Sequence, residues 1–177
     1  QAQKKATGRI ALLSAAVFIL IAFLLYGYFK TPFFVTQVIC DIQLAFIGGL
    51  AFTWIMLDNV SIATLVGLIA VAGIASRNSI LLISHYLHLM RHEGEEFTRK
   101  MIERATLERL VPVLMTALAT GIALIPLVLA SDSPGKEILH PIAVVIVGGL
   151  LSSSLLGLGV TPAVFHAFGR RAAERSV

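Results

Sequence analysis

From Ile10 to Tyr28 the sequence runs without a single charged residue, and long apolar runs recur over Phe33–Leu57, Val60–Met90, Leu110–Ala130 and Pro141–Phe168. A helix rises 1.5 Å per residue, so about 20 apolar residues cross a hydrocarbon layer of about 30 Å. The expected fold class is therefore all-α: a polytopic transmembrane helix bundle of about five spans. The composition agrees. The chain is 57% hydrophobic and 14% charged, against about 25% charged residues in an ordinary soluble domain. Its mean hydropathy is +0.88.

The breaks between runs organise the chain. Residues 1–8 form a polar lead-in with Lys4 and Lys5, expected to fray. Residues 9–94 hold three spans. Tyr26 and Tyr28 mark a membrane interface, and Lys30-Thr31-Pro32 is a tight break because proline disfavours helix at the residue before it. Asp58-Asn59 reads as a short polar turn. The third run is long for one crossing, so it should tilt or project from the membrane. Residues 95–109 read as a short amphipathic surface helix, with Phe97, Met101, Ala105 and Leu107 to one side and charges elsewhere. Residues 110–168 hold two further spans joined by a polar loop, Ser131–His140. Pro112 falls in the first turn of the fourth span, where proline is tolerated, and Pro126 should kink its far end. Small residues predict close helix packing at Gly48-Gly49, at Ala117, Ala119, Gly121 and Ala123, and along Gly148-Gly149, Ser152–Ser154, Gly157 and Gly159. Residues 169–177 are a basic tail.

Three features stand out against this apolar background. Arg77 and Asn78 lie near the middle of the third run, Arg77 roughly 20 Å from either end. A guanidinium at that depth costs several kcal/mol unless it meets a partner or a watery cavity, which makes it either a functional residue or a structural ion pair with a neighbouring helix. Asp41 in the second run could pair with Arg77, serve a proton path, or be a locally solvated carboxylate. His85, His88 and His92 fall within a narrow arc of one helix face. That spacing permits metal ligation, but it fits better with histidines at the membrane boundary capping a helix end.

Other classes are excluded or unsupported. The net charge of +4 and pI of about 9.6 do not mark a nucleic-acid binder, because the basic residues collect at the ends of apolar runs with no interleaved aromatic patch. Cys40 is the single cysteine, so neither a disulfide framework nor a CxxC metal site is available. No nucleophile–base pair, phosphate loop or catalytic metal set is present, and neither an enzyme nor a cofactor is expected. With five spans and a cytoplasmic tail, Lys30, Arg91, Arg99, Lys100, Arg104, Arg109, Arg170, Arg171 and Arg175 lie inside. Lys4, Lys5, Arg9 and Lys136 lie outside, which supports an external N-terminus. The first residue is Gln, and the expectation is a chain cut from a longer protein or processed from one.

The stretches GIASRNSILLISHYLHLMRHEGEEF, ERLVPVLMTALATGIALIPLVL and the last span closing on VTPAVF resemble the resistance–nodulation–division (RND) efflux transporters. SHYLHLMRHEGE looks most like their heavy-metal branch. LAFIGGLAF and LVGLIAVAGIA agree in order and spacing. The resemblance covers nearly the whole chain. It implies the last five spans of a proton-driven pump of the bacterial inner membrane that exports heavy-metal cations by proton antiport. It implies a homotrimer working with a periplasmic adaptor and an outer-membrane channel, and with the N-terminal portion of the same pump. Carried over residue by residue, the proton relay is Arg77, followed by Asn78, with Arg109 and Thr116 seven residues apart on one face. Gln43 departs from the family, which usually has proline before LAFIGG, and Asp41 is a further departure. The alternatives are a truncated or accessory membrane subunit without independent transport, and an RND pump for organic compounds.

Overall fold

A computed structural model describes residues 2–57, 60–129 and 137–176. Its order is α1 (Ala2–Phe29), α2 (Pro32–Met56), α3 (Ile62–His92), α4 (Arg99–Val128), α5 (Leu139–Phe168) and α6 (Arg170–Ser176). No strand occurs among the described residues, and α1 to α5 are each long and apolar enough to cross a membrane. The chain is an all-α membrane bundle.

The boundaries follow from local chemistry. Lys30 closes α1 in the left-handed region (φ 54°), and its N–H reaches the Tyr26 carbonyl at 2.8 Å. Thr31 is extended, and Pro32 opens α2 where its missing N–H costs nothing. Ser61 and Thr64 form a reciprocal capping box at the start of α3. Gly94, at φ 67°, turns the chain out of α3. Thr98 accepts from the Met101 N–H and starts α4.

The centre of the bundle is the crossing of α2 and α5. Gly48 faces Gly148 and Ser152, Gly148 faces Phe52, and Gly149 faces Val71 of α3. With no side chains between them the backbones approach closely, and the Ser152 hydroxyl donates to the Leu44 carbonyl at 2.7 Å. One end of the bundle is closed by aromatic rings around Phe165. Tyr86 lies 4.5 Å away, Phe97 5.5 Å, and Phe34 stacks at 5.9 Å. The Tyr86 hydroxyl meets that of Thr106 at 2.8 Å and ties α3 to α4.

Several expectations change. The amphipathic segment and the fourth span are one continuous helix, α4. Pro112 is therefore an interior residue. It removes a single backbone hydrogen bond, and the helix-favouring residues on both sides carry the helix through. The opening turns of α4 are amphipathic, with Met101, Ile102 and Ala105 buried and Arg99, Glu103 and Arg104 exposed. Leu107 is exposed rather than grouped with them, because it stands about 200° around the helix from Ala105. The short separate helix is instead α6, within the basic tail, and the lead-in is already helical from Ala2. The small-residue face of α4 is not packed: Ala119 and Ala123 are exposed, and a Cβ on Gly121 would meet nothing. The same holds for Gly157 and Gly159, so the glycine packing of α5 is confined to its first half. Asp58-Asn59 and most of the Ser131–His140 loop, with Lys136, lie outside the described residues.

Candidate functional site

Residues 77, 78 and 81 of α3 and 109, 112, 113 and 116 of α4 recur at helical spacing, so each set shares one face of its helix. The two faces meet in a groove lined by Arg77, Asn78, Arg109 and Thr116, with Leu81, Leu82, Pro112 and Val113 as its apolar walls. Arg77 is exposed and Arg109 half-buried. No ion pair or hydrogen bond to either guanidinium is found among the described residues. The groove therefore presents two positive charges together. Thr116 is exposed and donates its hydroxyl proton to the Val113 carbonyl at 2.9 Å, which leaves its oxygen lone pairs able to accept. The same face of α3 is open at Gly73, where an added Cβ would meet no other part of the described structure within 4 Å.

Asp41 does not join this groove. It is 4% exposed and lines a neighbouring cavity with Asn78, Ser79, Ser153 and Thr161. The Thr161 hydroxyl stands 3.0 Å from each carboxylate oxygen. The ion pair between Asp41 and Arg77 is not formed among the described residues. Instead, Asn78, Leu82 and Val113 line both cavities and form the wall between them.

The three histidines separate. His88 and His92 stack with ring centroids 4.5 Å apart. The His85 ring nitrogen goes to the Glu108 carboxylate at 2.7 Å. Glu108 also takes Arg104 at 2.9 Å, and Arg104 reaches Glu93 and Glu95 in the connection between α3 and α4. Two rings stacked face to face at an interplanar angle of 25° do not aim two lone pairs at one point, and the third ring is held elsewhere. Among the described residues no group of three metal-ligating side chains is assembled. The three-histidine arrangement that the spacing permits is not assembled among the described residues, and the helix-end reading is the one that fits this geometry.

Sequence reasoning missed Thr161, Ser79 and Gln37 around Asp41. Gln37 stands one turn before Asp41, and its side-chain amide donates to the Thr161 carbonyl at 2.9 Å. The available signal was a polar residue in each of three apolar runs, but nothing local joins α2 to α5 across 120 positions.

The fold defines a polytopic α-helical membrane protein. A model described as the AcrB/AcrD/AcrF family matches residues 1–169, and the chain belongs to this family of RND transporters. It is 32% identical over 168 residues to the cobalt-zinc-cadmium resistance protein CzcA of Cupriavidus metallidurans, covering 95% of this chain and 16% of that protein. It is 38% identical over 160 residues to the nickel-cobalt-cadmium resistance protein NccA of Alcaligenes xylosoxydans xylosoxydans, covering 90% and 14%. A crystal structure of a heavy metal efflux pump superimposes with a TM-score of 0.80 at 30% identity, over 94% of this chain and 16% of that one. The chain thus spans a small part of the length of the relatives it matches.

Proposed function

We propose that this chain serves as the C-terminal membrane portion of a proton-driven RND pump exporting heavy-metal cations by proton antiport. The observation that carries the reading is the open groove between α3 and α4, where Arg77, exposed among the described residues, stands with the half-buried Arg109. A guanidinium facing lipid at mid-bilayer costs about 2.5–3.5 kcal/mol or more, so the groove calls for an anionic cover. Carboxylates on a partnering helix of the same pump supply it. Each stays ionised while it faces Arg77 and loses that attraction on protonation, so one proton biases the position of α3. Asn78 and Thr116 hold water along the path. The relatives named for cobalt, zinc, cadmium and nickel resistance support the choice of cargo. The inner membrane, an external N-terminus, a homotrimer, and docking to a periplasmic adaptor and an outer-membrane channel belong to the same proposal.

The test is Arg77→Met in the transporter that carries this chain, reconstituted into liposomes with a proton-sensitive dye. Zinc or cobalt flux and the coupled proton movement should both be lost while the assembly elutes unchanged. Persistent coupled flux overturns the relay.

A further inference from the structure

Where α1 ends, Tyr28 and Phe29 face the last turns of α3 across a cavity of about 220 Å³. Ser84, Leu87, His88 and Arg91 recur at helical spacing, so α3 turns one face toward it. Among the described residues its polar lining holds hydrogen-bond donors and no carboxylate. Arg91 brings a planar fork of N–H groups, the Tyr28 and Ser84 hydroxyls bring a proton each, and an imidazole such as His88 keeps a ring N–H in either protonation state. The Ser84 oxygen is buried and has no hydrogen-bond partner among the described residues. Buried hydroxyls are as a rule satisfied, so this one marks a place for an acceptor.

The acids that follow α3 turn elsewhere. Glu93 and Glu95 both reach Arg104 of α4, and Glu108 takes His85 and Arg104. The negative end of the α3 dipole is offset by Arg91 and His92 in its last turn. Lys30 follows directly on Phe29, is exposed, and adds a second positive charge at this end of α1.

The cavity also lies at a particular depth. The apolar span of α1 ends at Phe29 and that of α3 at His92, so it sits at the headgroup level, where tyrosine rings and basic residues gather. Basic pockets between spans at that level suit phospholipid headgroups, and a guanidinium matches phosphate oxygens in pairs. Val17, Ile21 and Leu24 continue the Tyr28 face of α1 at helical spacing, and Val17 and Leu24 are exposed. An acyl chain can lie along this strip while its phosphate fills the cavity. A soluble phosphate gains nothing from the strip, which favours a lipid.

We propose that Arg91, with Tyr28 and Ser84, seats the phosphate of an anionic phospholipid between α1 and α3, the stacked rings of His88 and His92 forming one wall. The bound lipid joins the end of α1 to α3. The site needs only the membrane-spanning fold and stands apart from the relay.

The test uses the intact transporter carrying this chain, freed of lipid in detergent and titrated with phosphatidylglycerol that carries a photoactivatable diazirine beside its phosphate. After illumination the labelled peptides are mapped by mass spectrometry. Saturable label on residues 28–30 or 84–92, stronger than with the matching phosphatidylcholine probe, supports the site. Arg91→Gln should weaken the apparent affinity of that label by about fivefold, the effect of one basic residue at a lipid surface. Arg91→Lys should fall between the two, because it keeps the charge and loses the fork. Loss of the label when inorganic phosphate is added at the same concentration would mean a free-phosphate site and overturn the lipid. Absence of label from both segments of the wild-type protein, or equal labelling by phosphatidylcholine, overturns the proposal whatever the folding of the variants.

Discussion

The Thr161 hydroxyl of α5 lies 3.0 Å from both carboxylate oxygens of Asp41 in α2, joining positions 120 residues apart inside the bundle. This bond replaces a surface contact with water by one internal donor. It also places the single buried acid among the described residues next to the wall of the two-arginine groove.

Thr161→Val keeps the side-chain shape and removes that donor. A buried charged acceptor deprived of a partner costs about 1–3 kcal/mol. The variant should unfold earlier by that amount in a denaturant or thermal series, and Thr161→Ser should recover most of the loss. Equal stability of Val and wild type would show that the hydroxyl does not hold Asp41.

At the α2–α5 crossing, a Cβ on Gly148 would press on the Phe52 ring and the Gly48 carbonyl. Backbone cannot step aside as a flexible side chain can, so Gly148→Val should force the helices apart. Overpacking of this kind costs about 1–3 kcal/mol. Cysteine cross-linking between α2 and α5 would report the separation, and an unchanged cross-linking rate would count against it.

Phe165 is fully buried and touches three other rings. Phe165→Ala leaves a cavity at that end of the bundle, with an expected loss of about 3–5 kcal/mol. Phe165→Leu should cost less because it refills most of the volume. The readout is the melting temperature of the purified protein.

In the groove, Arg77→Lys keeps the positive charge whereas Arg77→Gln removes it. Coupled proton movement should persist, at a reduced rate, in the first and vanish in the second. A Gln variant that still couples would mean that shape rather than charge is used at this position.

The histidines offer a complementary test. Since His85 goes to Glu108 and His88 stacks on His92, the pair of changes His88→Asn and His92→Asn should leave zinc or cobalt flux at the wild-type rate. A large fall in flux, with normal assembly, would contradict the separated arrangement.

Much of this chain is legible from its order of residues because a bilayer imposes a one-dimensional rule. Each backbone polar group in the hydrocarbon must be bonded within its own segment, so runs such as Ile10–Tyr28 and Pro141–Phe168 declare helices without reference to anything else. The break at Lys30-Thr31-Pro32 is equally readable, whereas the Ser61–Thr64 capping box emerged only with the structure. The helical face carrying Arg109 and Thr116 follows from spacing alone. Other features depend on what a helix lies against, which no local pattern records. That α4 runs through Pro112 depends on tolerating one lost hydrogen bond. That Leu107 faces out while Met101 and Ala105 face in depends on where α4 leans. Asp41 meets Thr161 rather than Arg77 because α2 crosses α5 at Gly48 and Gly148, and that crossing turns the carboxylate toward a cavity that Asn78 walls off from the groove. The sequence by itself determined a membrane-spanning helical chain and its charged positions. Only the packing of the helices decided which of those positions share a cavity, because helix approach is set by side-chain size across the interface and not by order along the chain.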